Sequence, residues 1–549
     1  MKKNLKDKIY AALTAIGARE NWPLKAALTD FVLEEPRDPS FGQLATNAAM
    51  TLAKASGRKP RELADLIIRE IKDPEGLIES MDIAGPGFIN FRLSSGWWAK
   101  TLKAIRAAGP DYGRLPPTGR RVQVEYVSAN PTGPLHVGHG RGAALGDAVA
   151  RLLTFLGDDV ECEYYVNDAG RQMNILGLSV LFRLRQARGL NPEPPEDYYK
   201  GEYVIEIASA LEPVLGDNFD SLSQTEQIAK LSDLAGQKIL AGIKKDLQDF
   251  RVRHDRWFSE TSLYRDGAVE LAFKELKEKG SIYERDGAVW FKSAELGDDK
   301  DRVLVKNDGS LTYFAGDIAY HRNKLTRGFE RLIDIWGADH HGYISRMKAA
   351  VEALGQSRDH LSVILVQLVN LLRDGRLVNM STRSGEFVTL REVLDEVGAD
   401  AARFIFLTRS HDSMLDFDLE LAKTQTRDNP VYYVQYVCAR IHSLMVKAGP
   451  DQTEGDSNLL VEPEELEIIK HLASFPEMLE GAAKRLEPHL ITGYLSSLAR
   501  LFHQYYAVHR LMVDGRSDLT AARVELAAAV RQVTVIGLEL LGVTAPEKM

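Results

Sequence analysis

The chain has 549 residues, with 69 Lys and Arg against 78 Asp and Glu, a formal net charge of −9. No whole-chain basic excess therefore marks it as a nucleic-acid binder, although a basic face can sit inside an acidic total. Cys162 and Cys438 are the only cysteines, which excludes a disulfide scaffold and a cysteine-rich metal site and fits a reducing, cytoplasmic compartment.

At ~150 residues per domain the length predicts three or four units, and no apolar run approaches the ~20 residues of a membrane span. The opening MKKNLKDKIYAALTAIGA has the lysines and short apolar run of a leader. Leu5, Ile9, Leu13 and Ile16, however, recur at helical spacing with Asp7 and Lys8 between them, which predicts an amphipathic helix. Short strands follow, ending in IAGPGFINFRL (83 to 93), so residues 1–115 read as an N-terminal α+β module before the polar PPTGRR at 116–121.

RVQVEYV (121 to 127) is a strand candidate, and Leu145, Val149, Leu152, Leu153 and Leu156 line one face of a helix closed by Gly157. DVECEYYV (159 to 166) is the next strand. Strand, helix and strand make a βαβ unit, hence a parallel sheet with ligands at the carboxyl ends of its strands. Residues from about 180 to 300 read as an insertion and a return to the sheet, with hairpins at Asp286-Gly287 and Asp308-Gly309.

RLIDIWGADHHG (331 to 342) predicts strand, and LSVILVQLVNLL (361 to 372) either strand or buried helix. From about 390 the pattern turns almost wholly helical, with Thr389 and Glu392 as a capping box at its entry and Asn429-Pro430 before a terminal bundle. The expected fold class is multidomain α/β. A Rossmann-like parallel-sheet core with insertions (116–390) follows the N-terminal module (1–115), and a helical connection (391–428) leads to an all-α C-terminal bundle (429–549).

The segment EYVSANPTGPLHVGHGRG, residues 125 to 142, sets His136 and His139 three apart among glycines and prolines. Zinc binding would want helical HExxH spacing or cysteines, and neither is present. A dinucleotide fingerprint is a stronger rival, since Gly138, Gly140 and Ala143 satisfy GxGxxA and Glu161 lies about 20 residues on. That fingerprint should follow its strand at once, whereas ten residues separate Val127 from Gly138. The third reading is a phosphate loop, in which glycines admit a nucleotide at a helix N-terminus and imidazoles donate to its phosphate oxygens. Fixed donors of this kind do most of the catalysis when charge builds on a phosphorus centre.

HVGH resembles the HIGH signature of class I aminoacyl-tRNA synthetases. The second, KMSKS-type signature of that class has its counterpart in Asn379-Met380-Ser381-Thr382-Arg383-Ser384-Gly385, where Asn379 and Thr382 replace both lysines and Arg383 is the remaining cation. SANPTGPLHVGHGRGAALGD, YYVNDAGRQ, WGADHHGY, MSTRSGEFVTL and DNPVYYVQYVCARI, in this order, narrow the resemblance to arginyl-tRNA synthetase. SFGQLATNAAMTLAK and AGPGFINF extend it to the N-terminal module.

The resemblance implies an ATP-dependent arginine–tRNA ligase, with Mg²⁺ accompanying ATP and activation requiring bound tRNA. His136, His139, Ser381 and Arg383 would carry the chemistry, and Gly138, Gly140, Gly337, Asp339, His340 and Met380 would join the histidines on ATP. Glu125, Ser128, Asn130, Asp168, Gln172, Tyr313 and Asp317 would face the substrate. A guanidinium is a planar fork of donors and needs carboxylates placed for pairing. A carboxylate at Glu125, where a doubly covered strand should be apolar, supports this, although Glu125 could equally pair with a structural cation and Asp317 could be an N-cap.

The aromatic and basic helices YYVQYVCARIHSL and ARLFHQYYAVHRLM suit unpaired bases, with Tyr433 and Arg440 as contacts, and Phe41 and Asn47 would touch tRNA from the N-terminal module. The expected partners are arginine tRNA, L-arginine and ATP, with no membrane, no protein-held metal and a monomeric chain. A nicotinamide-dependent oxidoreductase and a catalytically impaired tRNA-binding paralogue are the alternatives.

Overall fold

A computed structural model describes residues 2–22, 31–36, 38–378, 387–449 and 455–549. The expected first helix spans Lys2–Glu20 and buries the predicted stripe, Leu5, Ile9, Leu13 and Ile16. It belongs to a module whose four-stranded antiparallel sheet runs in the order Leu33–Glu34, Leu44–Thr46, Phe88–Leu93 and Ile78–Ala84. The following helix, Ser95–Ala108, leaves that sheet and packs on the C-terminal bundle, where Gln532 Nε2 donates to the carbonyls of Ile105 and Gly109, both at 2.6 Å.

The central sheet has five parallel strands in the order Leu361–Val366, Arg331–Gly337, Arg121–Glu125, Asp159–Val166 and Arg256–Ser259. The βαβ expectation holds, with the Val137–Phe155 helix as its crossover. Two glycines let that helix lie where it does. A Cβ at Gly146 would fall 2.2 Å from the Tyr126 ring, and one at Gly157 (φ +92°) would fall 2.2 Å from the Pro116 carbonyl.

The insertion is a helical layer, Arg171–Ala187, Glu202–Leu211 and Gln224–Asp249, and the chain rejoins the sheet at Arg256–Ser259, inside the expected insertion range. A small antiparallel sheet follows, Ile282–Arg285, Ala288–Phe291 and Arg302–Val305, turned at Asp286 and Gly287, both with positive φ. Residues 361–372 resolve as two strands, Leu361–Val366 and Val369–Arg373. Beyond 390 the chain is less uniformly helical than its pattern suggested: Leu415–Asp418 is a strand parallel to Val369–Arg373, with Leu415 and Phe417 buried on alternate positions.

Thr389 and Glu392 form the expected capping box of Leu390–Phe406, and Asn429 caps Pro430–Ala448, accepting from Val431 N at 3.2 Å. The bundle continues with Pro463–Ala473, Phe475–Arg485, His489–Val508 and Ser517–Leu540. It is fastened to the core by Arg403, which is fully buried. Its Nε donates to the Leu541 carbonyl at 2.8 Å, its Nη1 to the Phe250 carbonyl at 3.0 Å, and its Nη2 pairs with Asp147 on the Val137–Phe155 helix. Among the described residues no helix is long and apolar enough to cross a membrane.

Candidate active site

Strand order reverses between Arg121–Glu125 and Arg331–Gly337, and a parallel sheet opens its crevice at that switch point. The first strand runs into Val127 and Ser128, whose φ angles are +69° and +42°. Left-handed backbone at two successive non-glycine residues is strained and persists only where neighbours fix it. Here Ser128 Oγ donates to Glu125 Oε1 at 2.9 Å and accepts from Tyr165 N at 3.1 Å, while Tyr164 Oη donates to the Ala129 carbonyl at 2.8 Å.

His136 is the N-cap of the crossover helix. Its Nδ1 accepts from Gly138 N at 3.1 Å and His139 N at 3.3 Å, and its own N–H donates to His139 Nδ1 at 3.2 Å. This is a reciprocal capping box made of two imidazoles, with ring centroids 3.6 Å apart. Three-residue spacing is thus the distance from N-cap to N3. A ring nitrogen that accepts a backbone N–H carries no proton, so both rings are neutral with Nε2–H as donor. Burial acts in the same direction, lowering His136 and pushing His139 down to about 3, the latter with help from His136.

The pair lines a cleft of about 630 Å³ together with Asn130, Gln172, Lys200, Tyr203 and Phe387. Asn130 Nδ2 donates to Gln172 Oε1 at 2.6 Å, which joins two predicted residues. The Tyr198–Tyr203 wall comes from the insertion, and the sequence reading missed it. Tyr203 Oη donates to the Thr132 carbonyl at 2.9 Å and so clamps the insertion onto the loop ahead of His136. A tyrosine-rich run beside NPEPPED was the available signal.

The glycines have different roles. A Cβ at Gly138 would lie 3.0 Å from the His136 ring, whereas at Gly140 it would lie 2.8 Å from Leu390 and 3.2 Å from Phe406. Gly140 therefore makes room for the Leu390–Phe406 helix. Leu390 N donates to the Leu135 carbonyl at 2.7 Å and Val137 N to the Val388 carbonyl at 3.2 Å. These bonds stitch the chain after the second signature to the histidine loop. Asn379, Met380, Ser381, Thr382, Arg383, Ser384 and Gly385 themselves lie outside the described residues.

The other side of the crevice is acidic. Asp317 lies within Tyr313–Thr326, whose N-cap is Thr312, so Asp317 is no N-cap; it accepts from Tyr343 Oη, and burial raises its pKa. Tyr313, at the same helix start, is 71% exposed, too open for sheet packing. Glu260, which the sequence reading missed, is buried at the end of Arg256–Ser259 and accepts from Tyr264 Oη at 3.1 Å. Burial raises its pKa too, with Asp317 and Asp168 adding to the effect. The Tyr165 hydroxyl stands among Glu260, Asp317 and Glu125 and is pushed far above its ordinary range, first by burial and then by these charges. An acidic residue directly after the apolar strand WFS was the signal for Glu260.

Glu125 is partnered in this structure. Lys324 Nζ pairs with Glu125 Oε2 and lies 2.8 Å from Asp334 Oδ1, and His321 Nε2 lies 2.9 Å from Asp334 Oδ2. Glu125 thus meets a buried cation through Oε2, while Oε1 accepts from Ser128. Asp168 has both oxygens engaged, by Ser259 Oγ at 2.5 Å and by Thr261 N at 2.9 Å, and so braces the loop after the second core strand. Gly337, Asp339 and His340 stand exposed where the Arg331–Gly337 strand ends, with His340 Nε2 3.6 Å from Asp339.

Among the expected tRNA contacts, Phe41 is half exposed and Asn47 Oδ1 accepts from Val32 N at 2.8 Å. Tyr433 packs 4.6 Å from the His503 ring. The Arg440 guanidinium lies between Tyr436 and Tyr506, 4.5 and 4.6 Å from their centroids, beside a cleft of about 830 Å³ that also holds Lys447, Arg510 and Lys548.

Residues 102–426 match the family of class I tRNA synthetase (R) catalytic domains, residues 3–93 the arginyl tRNA synthetase N-terminal domain, and residues 434–549 the DALR anticodon binding domain. The arginine–tRNA ligase of Desulfosudis oleivorans is 52% identical over 100% of both chains. The chain belongs to the arginyl-tRNA synthetase family. That of Geobacter sp. is 53% identical over 94% of each chain. The arginyl-tRNA synthetase structure of Thermus thermophilus, 23% identical, shares the fold with a TM-score of 0.79 over 100% of both chains. The nicotinamide alternative also fails on the site: Glu161, needed for a ribose, is 2.9 Å from Arg327 in an ion pair.

Proposed function

We infer that this arginine–tRNA ligase works by placing opposite ends of its substrates in two halves of one crevice with opposite character. The observation that carries this reading is the contrast between the neutral imidazole donors at a helix N-terminus and, opposite, the half-buried Asp317 and buried Glu260, each bonded to a tyrosine hydroxyl and without an ion-pair partner among the described residues. Asp317 and Glu260 receive the guanidinium, whose arrival restores to them the stabilisation that burial removed. Tyr313 covers it. Ser128, Asn130, Gln172 and Asp168 hold the loops that face the amino acid, and Glu125 faces its ammonium end. His136 and His139 donate from Nε2 to phosphate oxygens, Gly138 gives the nucleotide room, and Gly337, Asp339 and His340 take the adenosine.

An arginine carboxylate oxygen then attacks the α-phosphorus of ATP, the bond to the bridging oxygen breaks, and pyrophosphate leaves. A terminal ribose hydroxyl of arginine tRNA, the 2′-OH by class resemblance, next attacks the adenylate carbonyl, loses its proton, and AMP leaves. Met380, Ser381 and Arg383 are proposed for the pyrophosphate side, Phe41 and Asn47 for the body of the tRNA, and Tyr433 and Arg440 for its anticodon. Among the described residues the cleft lining contains no carboxylate, the oxygen ligand that usually holds magnesium on a protein. Mg²⁺ is proposed to enter on the ATP phosphates alone, and no step is assigned to it. The functional division is 1–115, 116–390, 391–428 and 429–549, in a monomer acting in the cytoplasm, with activation awaiting tRNA.

The test is exchange of labelled pyrophosphate into ATP, with and without arginine and arginine tRNA. Exchange that needs both is expected; exchange indifferent to arginine would overturn the reading.

A further inference from the structure

Among the described residues, the cleft that holds the two histidines has one formal charge in its lining. Neither histidine contributes one, because both Nδ1 atoms accept backbone N–H groups. Among the described lining residues there is no aspartate or glutamate, and the single lysine or arginine is Lys200. Lys200 has no carboxylate within ion-pair distance among the described residues; its Nζ lies 5.7 Å from the Tyr198 centroid, which leaves it free to meet an incoming anion.

Its position is fixed by the insertion. The Lys200 carbonyl accepts from Arg183 Nη2 at 3.2 Å and Tyr199 N donates to Ser179 Oγ at 2.9 Å, so the backbone beneath the lysine is anchored to the Arg171–Ala187 helix. Three residues on, Tyr203 clamps the Thr132 carbonyl, and a Cβ at Gly133 would lie 3.2 Å from the Tyr203 hydroxyl. The lysine is thereby tied to the loop that ends in His136. The sequence supplies a need for it: Asn379 to Gly385 reads NMSTRSG and carries no lysine.

We propose that Lys200 is a catalytic residue of the activation step, an insertion-borne cation that binds the polyphosphate of ATP beside His136 and His139. An ammonium on a flexible stem suits a phosphate whose charge must be held while it departs. The acidic residues of the crevice lie on its other side, so the same lysine repels arginine from the nucleotide half. This proposal rests on the reading that ATP lies against the histidine pair.

The test is arginine- and tRNA-dependent pyrophosphate exchange by full-length Lys200→Met and Lys200→Arg, varying ATP and arginine separately. Lys200 is exposed, so neither substitution disturbs the core. Lys200→Met is expected to lower kcat/KM for ATP by about 10- to 100-fold and to leave the KM for arginine within twofold, with Lys200→Arg recovering most of the loss. An ATP kcat/KM within twofold of the parent would overturn the proposal, as would a KM for arginine that rises as much as the KM for ATP. Failure of the parent enzyme to exchange at all would instead remove the underlying reading.

Discussion

Lys324 and Asp334 form an ion pair of 2.8 Å with both side chains wholly withdrawn from solvent. Burial alone would raise Asp334, but Lys324 and His321 outweigh it and hold the carboxyl down to about 2. With Glu125 on its other side, Lys324 is shared between two buried acids, and burial still raises Glu125. Replacing it with methionine strands both, and the loss of one partner of such a group costs about 3–5 kcal/mol. Urea unfolding should show a lower midpoint with an unchanged slope; an unchanged midpoint would mean that the network contributes no stability.

Asp317 and Glu260 predict a split between substrates. Asp317→Asn or Glu260→Gln should raise the KM for arginine at least about 30-fold, the usual consequence of truncating one partner of a buried charge pair, and leave the KM for ATP near its parent value. Steady-state exchange with each substrate varied in turn separates the two. Equal effects on both would place these carboxylates outside the guanidinium site.

The histidine pair gives stability a pH dependence. Folded His139 is held down to about 3 by burial, whereas an unfolded histidine titrates near ~6.5. Below that the unfolded chain binds more protons, so the contribution of His139 is intact above about pH 6.5 and is lost as pH falls toward 3, by up to about 1.4 kcal/mol per unit. His139→Asn should flatten the fall in urea midpoint between these limits. A slope the substitution leaves untouched would contradict the neutral assignment.

Much of this site was legible in residues whose types conflict with their local setting. Glycines and prolines around two histidines pointed to a helix N-terminus on a cleft, which the structure has there, and Glu125 stood out among apolar neighbours. The pairing of Glu125 with Lys324 is 199 positions apart, and no local pattern contains such a partner. A stripe was nevertheless available, since Asp317, His321 and Lys324 share one helical face. Glu260 and Lys200 escaped because each follows a segment that reads as an insertion, and only the fold shows that the insertion is a wall of the cleft. Gly140 teaches the same lesson: a glycine beside a nucleotide motif also satisfies tight helix packing.

The stacked guanidinium in the bundle predicts an effect confined to RNA. Arg440→Ala removes one cation held between Tyr436 and Tyr506. It should weaken tRNA binding and reduce the slope of log affinity against log salt by about one unit or less, with the arginine KM unchanged. Binding titrations at three salt concentrations measure this; an unaltered affinity would exclude that face from the contact.

Gly146 is a packing requirement. Gly146→Ala would press a methyl group into the Tyr126 ring, and overpacking of this kind costs about 1–3 kcal/mol. A thermal melt of the variant at or above the parent midpoint would show that the helix can shift to accommodate it.

Arg403 joins the end of the last helix, through the Leu541 carbonyl, to the helix that starts at the histidine pair, through the Asp147 carboxylate. Decoding and chemistry therefore share one interior. A chain divided between residues 428 and 429 would expose that interior on both pieces and take from Arg403 the Leu541 carbonyl, leaving it Asp147 and the Phe250 carbonyl.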